Sequence, residues 1–441
     1  MRLDRLSRAL RSKEDAYRPS LPSPPEVGPF RRDNWRSALR GPWLSSMLSL
    51  ALLVLLAVVT VTGFLSHAAY DPRLGDNATS PLVKDLYFVS WPTRPAWLYA
   101  FTQGLHVVAG LALIPVLLAK LWAVIPKLYE RPAVASISHG LERVSLAVLV
   151  GGALFEVGTG VINIQYWYTG LGFNFTPVHY AVALVFVAAL VLHVLLKLPA
   201  MFAAFAEDGF LRPLKEGRAA TRAPAPDRSL SVSTDPAEPT ISRRGMLGAV
   251  GLGALTLAGL TAGQSLVGGY LRGTALLAPR GRSYGRGPND FQVNTTARAA
   301  GITTSTTDGG WRLAVRGRRE LSFSRDELRG FPLATEDLPI ACVEGWSTLE
   351  TWTGVRLTDL ARMSGALDAE ELVVQSLQRG SPYARVSLSP GKFRDPRALL
   401  ALRVNGADLS PDHGYPARII VPALPGVHNT KWVASLTFRT A

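Results

Sequence analysis

The chain has 441 residues, a formal net charge of +14 and a single cysteine. This length predicts two bodies rather than one, and the lone thiol excludes an intramolecular disulfide. A basic excess of this size also occurs in nucleic-acid-binding proteins, but here much of it flanks apolar runs, where it faces anionic lipid headgroups, so nucleic-acid binding is excluded.

Four apolar runs follow a basic arm over residues 1–42. Each run has the length that crosses a bilayer, about 20 residues at about 1.5 Å per residue. The runs are Leu44 to Leu65, Trp97 to Trp122, Val144 to Ile164 and Pro177 to Leu198. Together they predict an all-α membrane domain, a transmembrane helix bundle over residues 43–200 in contact with membrane lipid.

Histidines occur in or at the ends of these runs, where an imidazole is costly unless it has a partner. They are His67, His106, His179 and His193. The last two share one predicted helix, on nearly the same face and about 21 Å apart along its axis. The arrangement resembles four-helix b-type dihaem cytochromes, and that resemblance implies two haem b groups with these four histidines as iron ligands.

The pairing of the histidines stays open. By depth, His67 pairs with His179 and His106 with His193. Comparison with formate dehydrogenase and hydrogenase cytochromes instead suggests His106 with His179, which leaves His139 as the substitute partner of His193. A single haem and histidines that only hydrogen-bond across helices are the alternatives. Glu156, inside the third run, is either a proton acceptor at a quinone site or a neutral hydrogen-bonded group.

A second basic segment over residues 201–244 ends in Ser242-Arg243-Arg244-Gly245-Met246-Leu247. This motif resembles a twin-arginine export signal, which implies export machinery as a partner; two arginines that only anchor the following helix are the alternative. A weaker apolar run over residues 245–267 is a fifth span or a signal anchor. Because Lys and Arg concentrate in the arm and in this segment, both are expected in the cytoplasm of a prokaryotic cell, with the multi-pass chain in its membrane. Five spans then leave the linker 268–290 and the C-terminal domain on the external face.

The single cysteine, Cys342, lies in this C-terminal domain. Leu338-Pro339-Ile340-Ala341 predicts the end of a short buried strand, and Glu344-Gly345-Trp346-Ser347 predicts a turn after it. A strand end is a rigid position for a metal ligand. A buried cysteine that only fills space is the alternative.

Several separated motifs accompany the cysteine: Cys342-Val343-Glu344-Gly345-Trp346-Ser347, Trp352-Thr353-Gly354-Val355, Asn405-Gly406, His413-Gly414-Tyr415-Pro416-Ala417-Arg418 and Lys431-Trp432-Val433. In order and spacing they resemble the molybdopterin-binding domain of the sulfite oxidase superfamily, over residues 291–441. The resemblance implies an α+β fold and a molybdopterin whose molybdenum is ligated by Cys342. It also implies that His413, Arg418 and Lys431 contact the pterin and its phosphate, a role that suits cations. Tyr383 is expected to approach the pocket as a catalytic residue.

Two departures bear on the substrate. Sulfite oxidases carry arginines soon after the cysteine, where this chain has Glu344, and usually an arginine at the position of His428. Sulfite is therefore one candidate among small oxyanions, S-oxides and N-oxides.

The two halves together predict a membrane-bound oxidoreductase that couples oxygen-atom transfer on an external substrate to transmembrane haems and the quinone pool. Covalent fusion raises the effective concentration of the two domains for each other, so a weak docking surface is sufficient. The alternatives are a membrane-anchored binding or scaffold protein with a metal-free domain, and a haem-based transmembrane reductase of an external acceptor.

Overall fold

A computed structural model describes residues 28, 31–70, 90–129, 134, 136–167, 171–222, 235–265, 271–277 and 285–440. Most of the arm predicted over 1–42 lies outside the described residues, as do parts of the linkers predicted over 201–244 and 268–290.

Five long helices occupy the N-terminal part of the chain. They are α1 Pro42–Tyr70, α2 Leu98–Val124, α3 Ile137–Ile164, α4 Phe175–Asp208 and α5 Arg243–Ser265. All five are long and apolar enough to cross a membrane, which confirms the helices predicted from the apolar runs, the weaker fifth run included. Their apolar residues cover every face rather than one stripe, the pattern of helices with apolar surroundings on all sides.

The C-terminal region combines short helices with two five-stranded sheets in its described residues. The strands are β1 Arg312–Arg316, β2 Glu320–Ser324, β3 Ala334–Ala341, β4 Ser347–Arg356, β5 Glu371–Ser376, β6 Arg385–Leu388, β7 Leu399–Val404, β8 Ala407–Asp408, β9 Arg418–Ile420 and β10 Val433–Arg439. In the first sheet the strand order is β2-β1-β10-β5-β6, and β1 is parallel to β10. In the second sheet the order is β3-β4-β7-β8, and β9 also pairs with β7.

The cysteine lies in the loop of the hairpin that β3 and β4 form. The two strands pair in antiparallel register up to Ala341 and Ser347, so residues 342–346 make the connection. The amide of Cys342 donates to the carbonyl of Trp346 at 3.0 Å, and the amide of Gly345 donates to the carbonyl of Cys342 at 3.0 Å. The predicted strand end followed by a turn is confirmed. We call residues 342–346 the cysteine loop.

The chain divides into two compact units, residues 1–52, 115–150 and 189–252, and residues 53–114, 151–188 and 253–441. The second unit therefore contains one end of every long helix together with all the strands. One hydrophobic cluster in this unit joins Ala68, Ala69, Trp91 and Tyr99 to strand residues such as Leu313, Val374 and Leu400. The helix ends and the sheets share one apolar core, so their contact is more extensive than the weak docking surface that covalent fusion would require.

Candidate cofactor-binding sites

A small open cavity adjoins the cysteine loop. The structure brings together around it four residues singled out from the sequence: Cys342, His413, Arg418 and Lys431. Phe291, Gln292 and Asn294 line it as well. Sequence reasoning missed these three because they precede the first strand and no motif connects them to the cysteine.

Cys342 is held in place by the loop around it. The residue is 8% exposed, and its two backbone hydrogen bonds close the turn. Glu344 is buried and accepts a hydrogen bond of 2.9 Å from the indole Nε1 of Trp346. The loop therefore presents a thiol beside the cavity, while the carboxylate of Glu344 is engaged with Trp346.

Arg418 supplies a buried positive charge at the start of β9. Its guanidinium donates to the carbonyls of His413 and Asn429 at 3.0 and 3.1 Å and lies 5.1 Å from the ring centre of Trp352. Its Nε is buried and has no hydrogen-bond partner among the described residues. Burial lowers the pKa of Arg418 to about 9. A buried cation without a carboxylate is costly, so an anion in the cavity would stabilise it.

Lys431 and His413 lie beside this arginine. The Nζ of Lys431 donates to the carbonyls of Thr295 and Asp412 at 2.9 and 2.8 Å. The ring of His413 stacks on Phe291 with 3.6 Å between ring centres. Burial, and then the charges of Arg418 and Lys431, lower the pKa of His413 to about 3. The imidazole is therefore neutral at physiological pH, and its Nε2–H donates to the carbonyl of Asn289 at 2.9 Å.

Further buried polar atoms near the cavity have no hydrogen-bond partner in the described part of the chain. They are both side-chain heteroatoms of Gln292, the Nδ2 of Asn429 and the Oγ1 of Thr430. Buried polar groups are normally satisfied, so an excess of open donors and acceptors indicates a polar ligand. Together with the cations, these atoms fit the hydrogen-bonding ring and the phosphate of a molybdopterin.

Tyr383, expected in the pocket, is not among the described lining residues of this cavity. Its ring packs edge-on against Tyr70 of α1, with 6.4 Å between ring centres. Tyr99 of α2, which is 1% exposed, lies within electrostatic range of both Cys342 and Tyr383. The structure thus places Tyr383 against the helices, and it adds Tyr99, a second tyrosine that the sequence did not indicate and that lies within electrostatic range of Cys342.

In the helical part of the same unit, His106 of α2 and His179 of α4 face each other. Their ring centres are 6.4 Å apart and their planes are inclined by 81°. Two imidazoles on opposite sides of one metal ion, each with a bond of about 2 Å to it, have ring centres about 6 Å apart. The separation of this pair therefore suits ligation of a single iron.

The second ring nitrogen of each of these histidines has a hydrogen-bond partner. The Nδ1 of His106 lies 3.0 Å from the carbonyl of Val59, and the Nδ1 of His179 lies 3.0 Å from both the Oγ1 of Thr159 and a carboxylate oxygen of Glu156. A proton held on Nδ1 leaves the lone pair of Nε2 for a metal, as is usual for metal-bound histidines. Glu156 thus contacts an imidazole, in line with the hydrogen-bonded alternative considered for it.

The other candidate histidines have different neighbours. The ring of His67 stacks on Tyr180 with 3.6 Å between centres and 4° between planes. In the other compact unit, His139 and His193 both lie within electrostatic range of Glu142, which pairs with Lys197. No group of three or more His, Cys, Asp or Glu side chains in the described residues could hold a metal ion.

Comparison with known proteins gives the C-terminal region a family. Residues 300–441 match the model described as oxidoreductase molybdopterin binding domain. The match and the relatives below support a sulfite-oxidase-like molybdopterin-binding oxidoreductase domain in this region, and so an enzyme. That conclusion disfavours the scaffold alternative.

Individual relatives agree with this class. The chain is similar to the uncharacterized oxidoreductase YuiH of Bacillus subtilis, with 31% identity over 29% of this chain and 65% of the relative. It is also similar to mitochondrial sulfite oxidase of Mus musculus, with 30% identity over 28% of each chain. A solved structure, the sulfane dehydrogenase SoxCD from Paracoccus pantotrophus, matches 30% of this chain and 38% of its own at 26% identity and a TM-score of 0.28. The chain thus covers less than two thirds of the length of these relatives.

Proposed function

We propose that the protein is a membrane-bound molybdopterin-dependent oxidoreductase that exchanges electrons between a small external substrate and haem b in its helices, and from there with the quinone pool. The observation that carries the proposal is the cavity at Cys342, where the buried Arg418, the half-buried Lys431 and open polar atoms meet a thiol. The match of residues 300–441 to a molybdopterin-binding domain supports the same cofactor.

The residues of the cavity divide the work of holding this cofactor. Cys342, as thiolate, is the protein ligand of molybdenum, a soft donor suited to that metal. Arg418 and Lys431 neutralise the phosphate, and His413 accepts a hydrogen bond at Nδ1 because its Nε2–H is already used. When bound, the molybdopterin supplies two-electron oxygen-atom transfer: the substrate gains oxygen from water and releases two protons and two electrons, or the reverse.

We propose that His106 and His179 hold one haem b through their Nε2 atoms. The ring separation of 6.4 Å and the fixed Nδ1 atoms support this pairing over the pairing by depth, which joins His67 to His179. His193 is the ligand proposed for a second haem, with His139 as its partner because both lie near Glu142. When bound, a haem supplies one-electron transfer, so the two electrons of each turnover pass singly.

The topology and the substrate complete the proposal. With the basic segments in the cytoplasm, five crossings leave the C-terminal domain on the external face, and the twin-arginine motif would serve its export.

Glu344 adds a buried carboxylate close to Cys342, which disfavours a dianion there. We therefore favour a small neutral S-oxide or N-oxide over sulfite as the substrate.

The test is purification of the intact protein in detergent, followed by metal analysis and a reduced-minus-oxidised absorption spectrum. We expect molybdenum, together with the bands of low-spin haem b. A screen of methionine sulfoxide, trimethylamine N-oxide and sulfite should then find one compound that oxidises or reduces the haem. A preparation that contains haem without molybdenum, or neither, would overturn the proposal.

A further inference from the structure

The cysteine loop fits closely against the apolar helices. Gly345 has a φ of +92°, a conformation that side chains rarely adopt, and a Cβ atom there would lie 2.6 Å from a methyl group of Val107 in α2. Only glycine meets both conditions, so the loop backbone touches α2 directly. The loop is thus shaped for α2 as well as for the cavity.

Two side chains from the helices donate hydrogen bonds to the carbonyl of Val343 in this loop. The Nε2 of Gln103 in α2 donates to the carbonyl of Val343 at 2.8 Å, and the Nδ2 of Asn163 in α3 donates to the same oxygen at 3.1 Å. Both side chains belong to residues that are 3% exposed. A buried amide in an apolar helix is costly unless it has a partner, and here two such amides share one acceptor beside Cys342.

The same stretch of α2 carries the proposed haem ligand. Gln103 lies three residues, or about one turn, before His106, and Val107 follows His106 directly in the chain. From His106 a continuous route of contacts runs through Val107 to Gly345, whose amide is hydrogen-bonded to the carbonyl of Cys342. The two candidate cofactor ligands are therefore linked by one short and rigid segment.

We propose that Gln103 and Asn163 are positioning residues that fix the cysteine loop on α2 and α3 and so set the rate of electron exchange between the metal at Cys342 and the haem at His106 and His179. This inference rests on the proposed function. Neither amide is assigned a contact with substrate or cofactor; both act through the carbonyl of Val343. Tyr99, about one turn before Gln103 in α2, and Ala341, directly before the cysteine loop, both belong to the core that helices and sheets share, so we treat the interface as a permanent part of the fold.

The test uses Gln103→Leu, Asn163→Leu and the double variant in the full-length protein loaded with its cofactors. Each single variant leaves one donor on the carbonyl of Val343, whereas the double variant leaves that oxygen buried without a donor. Gln165→Leu is the matched control, because its Nε2 donates to the carbonyl of Leu277, away from the cysteine loop. Three quantities are measured: amide hydrogen exchange at residues 342–346, the rate of haem oxidation or reduction by the substrate found in the screen, and substrate turnover with a viologen dye as direct electron donor or acceptor at the molybdenum site.

In the double variant we expect loop exchange to rise and electron exchange with the haem to slow, each by about tenfold, which corresponds to the loss of a buried hydrogen bond. Dye-linked turnover should stay within about twofold of the unsubstituted protein, and the single variants should lie between. Faster amide hydrogen exchange in the loop with an unchanged rate of haem oxidation or reduction would overturn the positioning role. Unchanged hydrogen exchange in the loop would mean that the two amides do not hold the loop in place.

Failure of the proposed function looks different. An unsubstituted protein without molybdenum or haem would remove the electron-transfer role together with the proposed function. Hydrogen exchange in the cofactor-free variants would still decide whether the two amides hold the loop. If the double variant does not fold, the two single variants carry the comparison with Gln165→Leu.

Discussion

The cavity at Cys342 and the histidine pair at His106 and His179 both suit a cofactor, but by different means. The buried Arg418, the half-buried Lys431 and open polar atoms line or adjoin the cavity, so it would select an anionic group that forms many hydrogen bonds. The histidine pair lies in apolar helices, and it would select a metal at a set distance because both rings are fixed through Nδ1. Removal of one charge should therefore only reduce the affinity of the first site for its cofactor, whereas removal of one imidazole should abolish haem binding at the second site.

Cys342→Ser should have the largest effect, because it removes the single thiol of the chain, which is the proposed molybdenum ligand. A serine oxygen is a hard donor and a poor replacement for a thiolate on a soft metal site. We expect molybdenum content to fall to background and substrate turnover to fall by at least about a hundredfold, while the haem spectrum stays unchanged. Metal analysis and turnover of the same preparation check this. Persistent activity would favour the haem-based reductase, in which molybdenum takes no part.

Substitution of the histidines tests the second site. His106→Ala and His179→Ala should each remove the same haem, seen as the loss of one component in a spectroscopic redox titration. His67→Ala should retain that component, because the His67 ring stacks on Tyr180 and stands outside the pair. His193→Ala should retain it too and alter only the second haem. Loss of the component in His67→Ala with retention in His106→Ala would make the pairing by depth the right one.

The contrast between the two sites also explains what the sequence could predict. The end of β3 at Ala341 and the turn after Cys342 follow from apolar and turn residues that are adjacent in the chain. His413, Arg418 and Lys431 were found through motifs, and the structure brings them to the same cavity. The pairing of His106 was left open because depth fixes a position along a helix axis but not the rotation of one helix against another.

The contacts of the cysteine loop could not be predicted from the sequence, for a related reason. Nothing in the periodicity of an apolar helix says which loop its end will meet. Gln103 and Asn163 nevertheless carried a usable signal, since an amide in an apolar run needs a partner. The sequence analysis considered only the histidines and Glu156 as costly residues in the apolar runs. It therefore did not identify Gln103, Asn163 or Tyr99.

Arg418→Gln should have an intermediate effect on the cavity. The substitution keeps a polar side chain but removes the buried charge, so affinity for the anionic cofactor should fall by about 10- to 100-fold, the worth of one charge-assisted hydrogen bond. Molybdenum retained after dialysis measures this. Arg316→Gln, at a half-exposed arginine of β1 paired with Glu320, is the matched control and should retain the metal. Equal retention in both variants would contradict a phosphate at Arg418.

The smallest effect concerns pH. The pKa of His413 is lowered to about 3 in the folded protein, against about 6.5 for an unfolded histidine, so the unfolded chain binds the extra proton first. Its contribution to stability is complete above about pH 6.5 and is lost as the pH falls towards 3, by at most about 1.4 kcal/mol per pH unit. In cofactor-free protein, the melting temperature followed by tryptophan fluorescence should therefore fall less steeply over this range in His413→Gln than in the unsubstituted chain. Parallel curves would mean that folding does not lower the pKa of His413, and so that burial and the neighbouring cations do not hold the ring neutral below about pH 6.5.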